Sequence, residues 1–168
     1  MNRLSRLLII AVAGAVLASL TACSTRIKSP PGMTTTVVLV RHAERDYTED
    51  ALVPEGVARA AALPAAVKQL NFAAIYSPDK KRNMATVKPL ATERGLPITV
   101  IPVSNAAKRM VRDHPGKTVL WVGNTTNLPA IFRLLGGEGA PPNNYGDLFI
   151  LHVPDTGTTV VERRHFGK

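Results

Sequence analysis

Three short apolar runs, Thr36 to Val40, Ala73 to Tyr76 and Thr118 to Val122, each break off into polar residues: Arg41-His42, Ser77 and Gly123-Asn124. Runs of this length, rich in β-branched residues, read as buried strands. Between and after them lie stretches of helical pattern, Pro54 to Leu70 with Pro64 as a kink or break, Lys80 to Arg94, Asn105 to Asp113 and Asn127 to Leu135. A further strand is expected near Ile98 to Ile101, and a hairpin of Leu148 to Val153 and Thr158 to Arg163 about the turn Pro154-Asp155-Thr156-Gly157. Alternation of this kind demands an α/β fold: one three-layer domain, mainly parallel sheet, with helices on both faces. Parallel strands carry all three polar sets to one sheet edge, where open α/β sheets bind ligands.

The chemistry at that edge is cationic. Lys80, Lys81 and Arg82 crowd the start of a helix, where the macrodipole already presents partial positive charge. Two readings stand: Asp79 relieves the charge as an N-cap, or Arg82 joins Arg41 in gripping an anion through guanidinium forks that match phosphoryl oxygens. His42 lies next to Arg41, and neutral imidazole is a good nucleophile near physiological pH.

Arg41-His42-Ala43-Glu44, Leu52-Val53-Pro54-Glu55-Gly56, Ser77 with Arg82 and Thr86, Val122-Gly123-Asn124-Thr125 with Pro129, and Leu134-Leu135-Gly136-Gly137 follow one another in an order that resembles the histidine phosphatase superfamily, also called phosphoglycerate-mutase-like. The resemblance runs from about Thr35 to Val153. It implies the phosphoglycerate-mutase-like fold, His42 as the nucleophile that becomes phosphorylated, Arg41 and Arg82 as phosphate clamps, and Ser77 at the substrate site. The family's second pocket histidine maps onto Asn124, which donates hydrogen bonds but carries no charge. Losing one transition-state donor typically costs ~10²- to 10³-fold in rate. Where the family often holds its general acid, Val100-Ile101-Pro102-Val103-Ser104-Asn105 has no carboxylate. Glu44, and less so Asp46, are the carboxylates nearest the nucleophile; the other reading of Glu44 is a carboxylate that orients Arg41, Arg82 or a loop amide.

The N-terminus carries a separate signal. Arg3 and Arg6 precede the apolar stretch Leu7 to Leu20, followed by Thr21-Ala22-Cys23-Ser24. A positive start, a short apolar core and small residues at a cut site read as a secretory signal. The stretch is shorter than the ~20 residues a membrane span prefers. Cys23 is the single cysteine of the chain and stands where a bacterial lipobox places its lipidated residue. The expected division is residues 1–22 as a lipoprotein signal peptide, 23–34 as a lipidated tether with Ser29-Pro30-Pro31-Gly32 as its stiff part, and 35–168 as the domain. Sorting by resemblance to bacterial lipoproteins places it at the cell envelope, on the outer membrane facing the periplasm.

The formal charge is +9, and loss of Arg3 and Arg6 with the signal leaves +7. That balance suits an anionic substrate or membrane surface. Nucleic acid is not expected, because the basic residues are scattered and few aromatics accompany them. His114, before Pro115-Gly116, and His165, in the basic tail, read as solvated; His152 closes a strand, and Trp121 reads as core. No histidine has partners at metal-ligand spacing, so neither metal nor cofactor is expected. Three functions are open: a phosphoryl-binding site with weak or degenerate phosphatase activity on a phosphorylated small molecule or phosphoester, an active phosphomonoesterase with a non-standard second pocket residue, and a non-catalytic interaction lipoprotein.

Overall fold

The computed structural model describes residues 26–168, so Cys23 and the expected signal segment lie outside the described residues. The elements run in the order β1 (Thr34–Arg41), α1 (Pro54–Ala66), β2 (Phe72–Ser77), α2 (Lys81–Arg94), β3 (Ile98–Val100), α3 (Val103–Arg112), β4 (Thr118–Gly123), α4 (Leu128–Leu134), β5 (Asp147–Pro154) and β6 (Val160–His165). Six strands form one sheet in the order β3-β2-β4-β1-β5-β6. The pairs β1–β4, β4–β2 and β2–β3 are parallel, while β1–β5 and β5–β6 are antiparallel. The fold is therefore a single α/β domain with a mixed sheet and helices on both faces.

β1 sits in the middle of the sheet because its side chains are apolar on both faces. Val37 and Leu39 join one core with Ala106 and Met110 of α3 and Ile131 and Phe132 of α4. Val38 and Val40 join the other with Leu63 of α1 and Val87 and Leu90 of α2. All four β1 residues are fully buried, and each such burial stabilises by roughly 1.5–3 kcal/mol, so register slip is heavily disfavoured. The β1–β4 register pairs Arg41 with Gly123, which brings the His42 and Asn124 segments side by side.

α1 passes through Pro64 without breaking and ends at Ala66, short of the expected Leu70. The proline lies in the last turn, where the chain is already leaving the helix: the Val67 N–H is shared between the Leu63 and Pro64 carbonyls, each at 3.3 Å. At the other end, a Cβ on Gly56 would lie 2.1 Å from the Glu44 carbonyl oxygen. Glycine thus lets the first turn of α1 rest on the loop that carries His42.

From Arg26 onward, the chain expected as tether packs on the domain. Ile27 N–H donates to the Leu134 carbonyl at 2.7 Å. The buried Ser29 hydroxyl donates to the Val153 carbonyl at 2.6 Å and accepts the Thr35 N–H at 3.0 Å. A Ser-Pro-Pro-Gly stretch reads as spacer by composition; its serine here ties the entry to β1 to the end of β5.

Candidate active site

His42 follows β1 directly and its backbone N–H donates to the Gly123 carbonyl at 2.9 Å, prolonging the β1–β4 ladder by one step. The ring is almost fully enclosed, 3 % exposed. Its Nδ1 lies 2.8 Å from the Ala43 carbonyl oxygen. A carbonyl can only accept, so Nδ1 holds the proton and Nε2 keeps its lone pair. Burial is the main force lowering the His42 pKa; the Ala43 bond opposes it, and the positive charges of Arg82, Arg41 and Arg45 add to it, bringing it from 6.5 to about 4. The imidazole is therefore neutral at physiological pH, in one tautomer, and chemically fit to attack an electrophile through Nε2.

Hydrogen bonds couple this ring to α2. The Ala43 N–H donates to Thr86 Oγ1 at 2.9 Å, and that hydroxyl donates to the Arg82 carbonyl at 2.8 Å. Asn83, wholly buried, donates from Nδ2 to the Val122 carbonyl at 3.0 Å and so ties α2 to β4. Nucleophile loop and helix start are held as one unit.

Two guanidinium groups, those of Arg41 and Arg82, place positive charge near the ring. Arg41 stacks 3.8 Å over the Tyr145 ring and donates from Nη1 to the Asn143 carbonyl at 2.7 Å. Tyr145 in turn meets the His42 ring edge-on, with centroids 5.7 Å apart. Arg82 pairs through Nη1 with Asp50. The Nε atoms of Arg41 and Arg82 are both buried and have no hydrogen-bond partner. Buried donors are normally satisfied, so these two guanidinium nitrogens stand as donors still open to an acceptor.

The remaining expected residues fall elsewhere. Asn124 lies beside His42 in the chain register, but its Oδ1 accepts from the Thr126 N–H (2.9 Å), the Thr126 hydroxyl (2.6 Å) and the Asn127 N–H (3.3 Å). It shapes the turn into α4, and no hydrogen bond joins it to His42, Arg41 or Arg82 among the described residues. Ser77 is fully buried and donates to the Pro78 carbonyl at 2.7 Å, so its hydroxyl is used inside the fold.

Glu44 turns to α1, where both carboxylate oxygens accept from Arg59 at 2.6 to 2.9 Å. Burial pushes its pKa up, but the Arg59 hydrogen bonds and charge outweigh that and hold it below the ordinary value. An ionised carboxylate has no proton to donate, so Glu44 is a poor general acid where it stands. Asp46 accepts from the Thr48 and Glu49 N–H groups at 2.6 and 3.2 Å and organises its own loop.

Several partners lay beyond the reach of sequence reading. Asp79 does not cap α2: the cap position is Lys80, without a side-chain bond, and the Lys81 N–H donates instead to Asp50, 31 residues upstream. Tyr145 and Arg45 belong to the site through a distant loop and a charge contact. Sequence offered a weak cue for Tyr145 alone, an aromatic set in the polar loop after Pro141-Pro142. His165 is exposed, as expected, with Nε2 3.2 Å from Arg59 Nη1, whereas His114 is only half-exposed, with Nε2 2.7 Å from the Tyr76 hydroxyl. His152 bridges Thr36 and Glu162 at 3.2 and 3.0 Å, and Trp121 is fully buried as expected. Among the described residues, no group of three or more His, Cys, Asp or Glu could hold a metal ion.

The family model described as histidine phosphatase superfamily (branch 1) matches residues 37–103. That segment runs from β1 to the start of α3 and contains His42, Arg41 and Arg82. Among solved structures, Bacillus stearothermophilus YhfR is similar at 21% identity and TM-score 0.61, over 77% of this chain and 96% of that one. The protein histidine phosphatase SixA complexed with tungstate is similar at 14% identity and TM-score 0.58, over 77% and 96% of the two chains. Phosphoglycerate mutase from Bacillus anthracis str. Sterne is similar at 13% identity and TM-score 0.56, over 79% and 93%. No curated protein matches the sequence. The fold is phosphoglycerate-mutase-like, and the histidine phosphatase superfamily is supported by family model and fold together.

Proposed function

We propose that the cleft at the carboxyl ends of β1, β2 and β4 binds a phosphoryl group, with His42 as nucleophile and Arg41 and Arg82 as clamps. The observation that carries this reading is the neutral His42 ring, its Nδ1 committed to the Ala43 carbonyl, under the positive charge of Arg41 and Arg82, each of which keeps a buried, unpartnered Nε. Phosphoryl transfer needs positioning and cationic stabilisation more than any covalent help from the protein. Tungstate, the oxyanion in the SixA structure, is consistent with such a cradle on this fold.

Turnover is weak. Asn124 is neutral and engaged in its turn, and the carboxylates near His42, Glu44 and Asp50, are ionised partners of Arg59 and Arg82. The leaving oxygen therefore finds no ready proton donor, which favours esters whose leaving group departs as an anion. A phosphorylated small molecule or phosphoester is the substrate class, and a binding-only site is what remains if turnover vanishes. The lipobox-like Cys23 makes the protein an envelope lipoprotein, held to the membrane by acyl chains and facing the periplasm.

Phosphate or vanadate titrated by calorimetry tests the site. Charge-assisted hydrogen bonds contribute about 1.5–3 kcal/mol each, so Arg82→Ala should weaken binding by roughly tenfold or more. Equal affinity in wild type and Arg82→Ala removes Arg82 from the site and overturns this reading.

A further inference from the structure

One donor of the Arg82 guanidinium, Nη1, is already taken by the protein itself. Asp50 pairs through Oδ1 with Arg82 Nη1 and accepts the Lys81 N–H on Oδ2 at 3.1 Å. Both donors belong to the first turn of α2, the same cation-crowded helix start that an anionic ligand would engage. Asp50 reaches them with φ +58, the one non-glycine residue with positive φ among the described residues. Left-handed backbone is uncommon outside glycine, although Asp and Asn tolerate it best.

The segment bearing Asp50 is a compact loop. Its ends are pinned by the isolated Arg45–Leu52 bridge and by the Asp46 N–H on the Ala51 carbonyl at 2.8 Å. Inside, Asp46 Oδ1 caps the Thr48 and Glu49 amides, so the turn satisfies its own backbone. Residues 46–49 are exposed. Asp50 is thus the charged link between a self-contained loop and the clamp arginine.

We propose that Asp50 is a resident internal anion of the phosphoryl subsite, which occupies Arg82 and competes with any incoming phosphoryl ligand. This rests on the phosphoryl-binding reading above. A ligand must break the Asp50 pair or accept a carboxylate beside its own negative charge. Either route lowers affinity. The alternative is that Asp50 positions Arg82 for the ligand, in which case its loss lowers affinity.

Calorimetric titration of inorganic phosphate and vanadate into wild type, Asp50→Asn, Asp50→Gly and Arg82→Ala separates these. Asparagine and glycine both suit the positive φ while removing the charge, so two variants guard against a folding defect in one, with circular dichroism as the check. The expected result is binding tighter by about tenfold or more in both Asp50 variants, with Arg82→Ala weaker than wild type. Unchanged or weaker binding in folded Asp50 variants, alongside a loss in Arg82→Ala, overturns the competition and leaves the phosphoryl site standing. Absence of binding in wild type and both Asp50 variants overturns the site and the competition together.

Discussion

At His42 two effects act against each other: enclosure and three arginines disfavour the imidazolium, while the Ala43 carbonyl favours a protonated Nδ1. The first prevails. Imidazole resonances followed by NMR should give a midpoint for His42 near 4, and Arg82→Ala should raise it by removing a positive neighbour. A wild-type midpoint near 6.5 would contradict the buried, neutral imidazole on which the proposed nucleophile role rests. The sign for stability follows: between 6.5 and about 4 the unfolded chain takes up the proton first, so folding is destabilised as pH falls through that window. Sequence reading reached His42, Arg41 and Arg82 because each directly follows a strand or opens a helix. It missed Asp50 and Tyr145, whose places depend on loops folding back, and it could not tell that Glu44 would find Arg59 rather than the nucleophile.

Elements hold that chemistry in place through close contacts that leave little slack. Gly56 is the tightest case, since a methyl group there meets backbone and not a flexible side chain. Gly56→Ala should destabilise by about 1–3 kcal/mol, the usual cost of overpacking, and should lower phosphate affinity as well because the displaced Glu44 segment leads back to His42. Urea denaturation checks the first effect; full wild-type stability would mean α1 can retreat from the loop at no cost. The strand pattern was fully legible, since burial on both faces of β1 leaves a run of apolar residues with no alternation. Helix ends were less so. The start of α2 lacks a local cap because Asp50 answers its free N–H from a distant loop, and α1 stops early because Pro64 weakens its last turn.

Across the whole molecule, charge is tied to packing at the C-terminus, and the N-terminus is where we propose the membrane anchor. The nearly buried Arg59–Glu44 pair also binds the Phe166 carbonyl at 2.9 Å, so the tail after β6 closes over α1 and braces the loop after β1. No helix among the described residues is long and apolar enough to cross a membrane, and the proposed anchor is Cys23. Labelled palmitate should enter the wild type and not Cys23→Ser, and the variant should accumulate as soluble or unprocessed chain. Wild type that stays soluble and unlabelled would contradict the lipoprotein assignment.

The central claim is that His42 forms a phosphoenzyme in a site weakened at Asn124, and the most direct measurement is a rapid-quench reaction with an aryl phosphate, followed by mass spectrometry of the His42 peptide. An aryl leaving group departs without full protonation, so the missing acid matters least. Asn124→His supplies a cationic donor, though it also gives up the side-chain hydrogen bonds that shape the turn before α4. The expected result is slow phosphorylation of His42 in wild type, at least ~10-fold faster in Asn124→His, and none in His42→Ala. Folded wild type and Asn124→His that both leave His42 unmodified would contradict it.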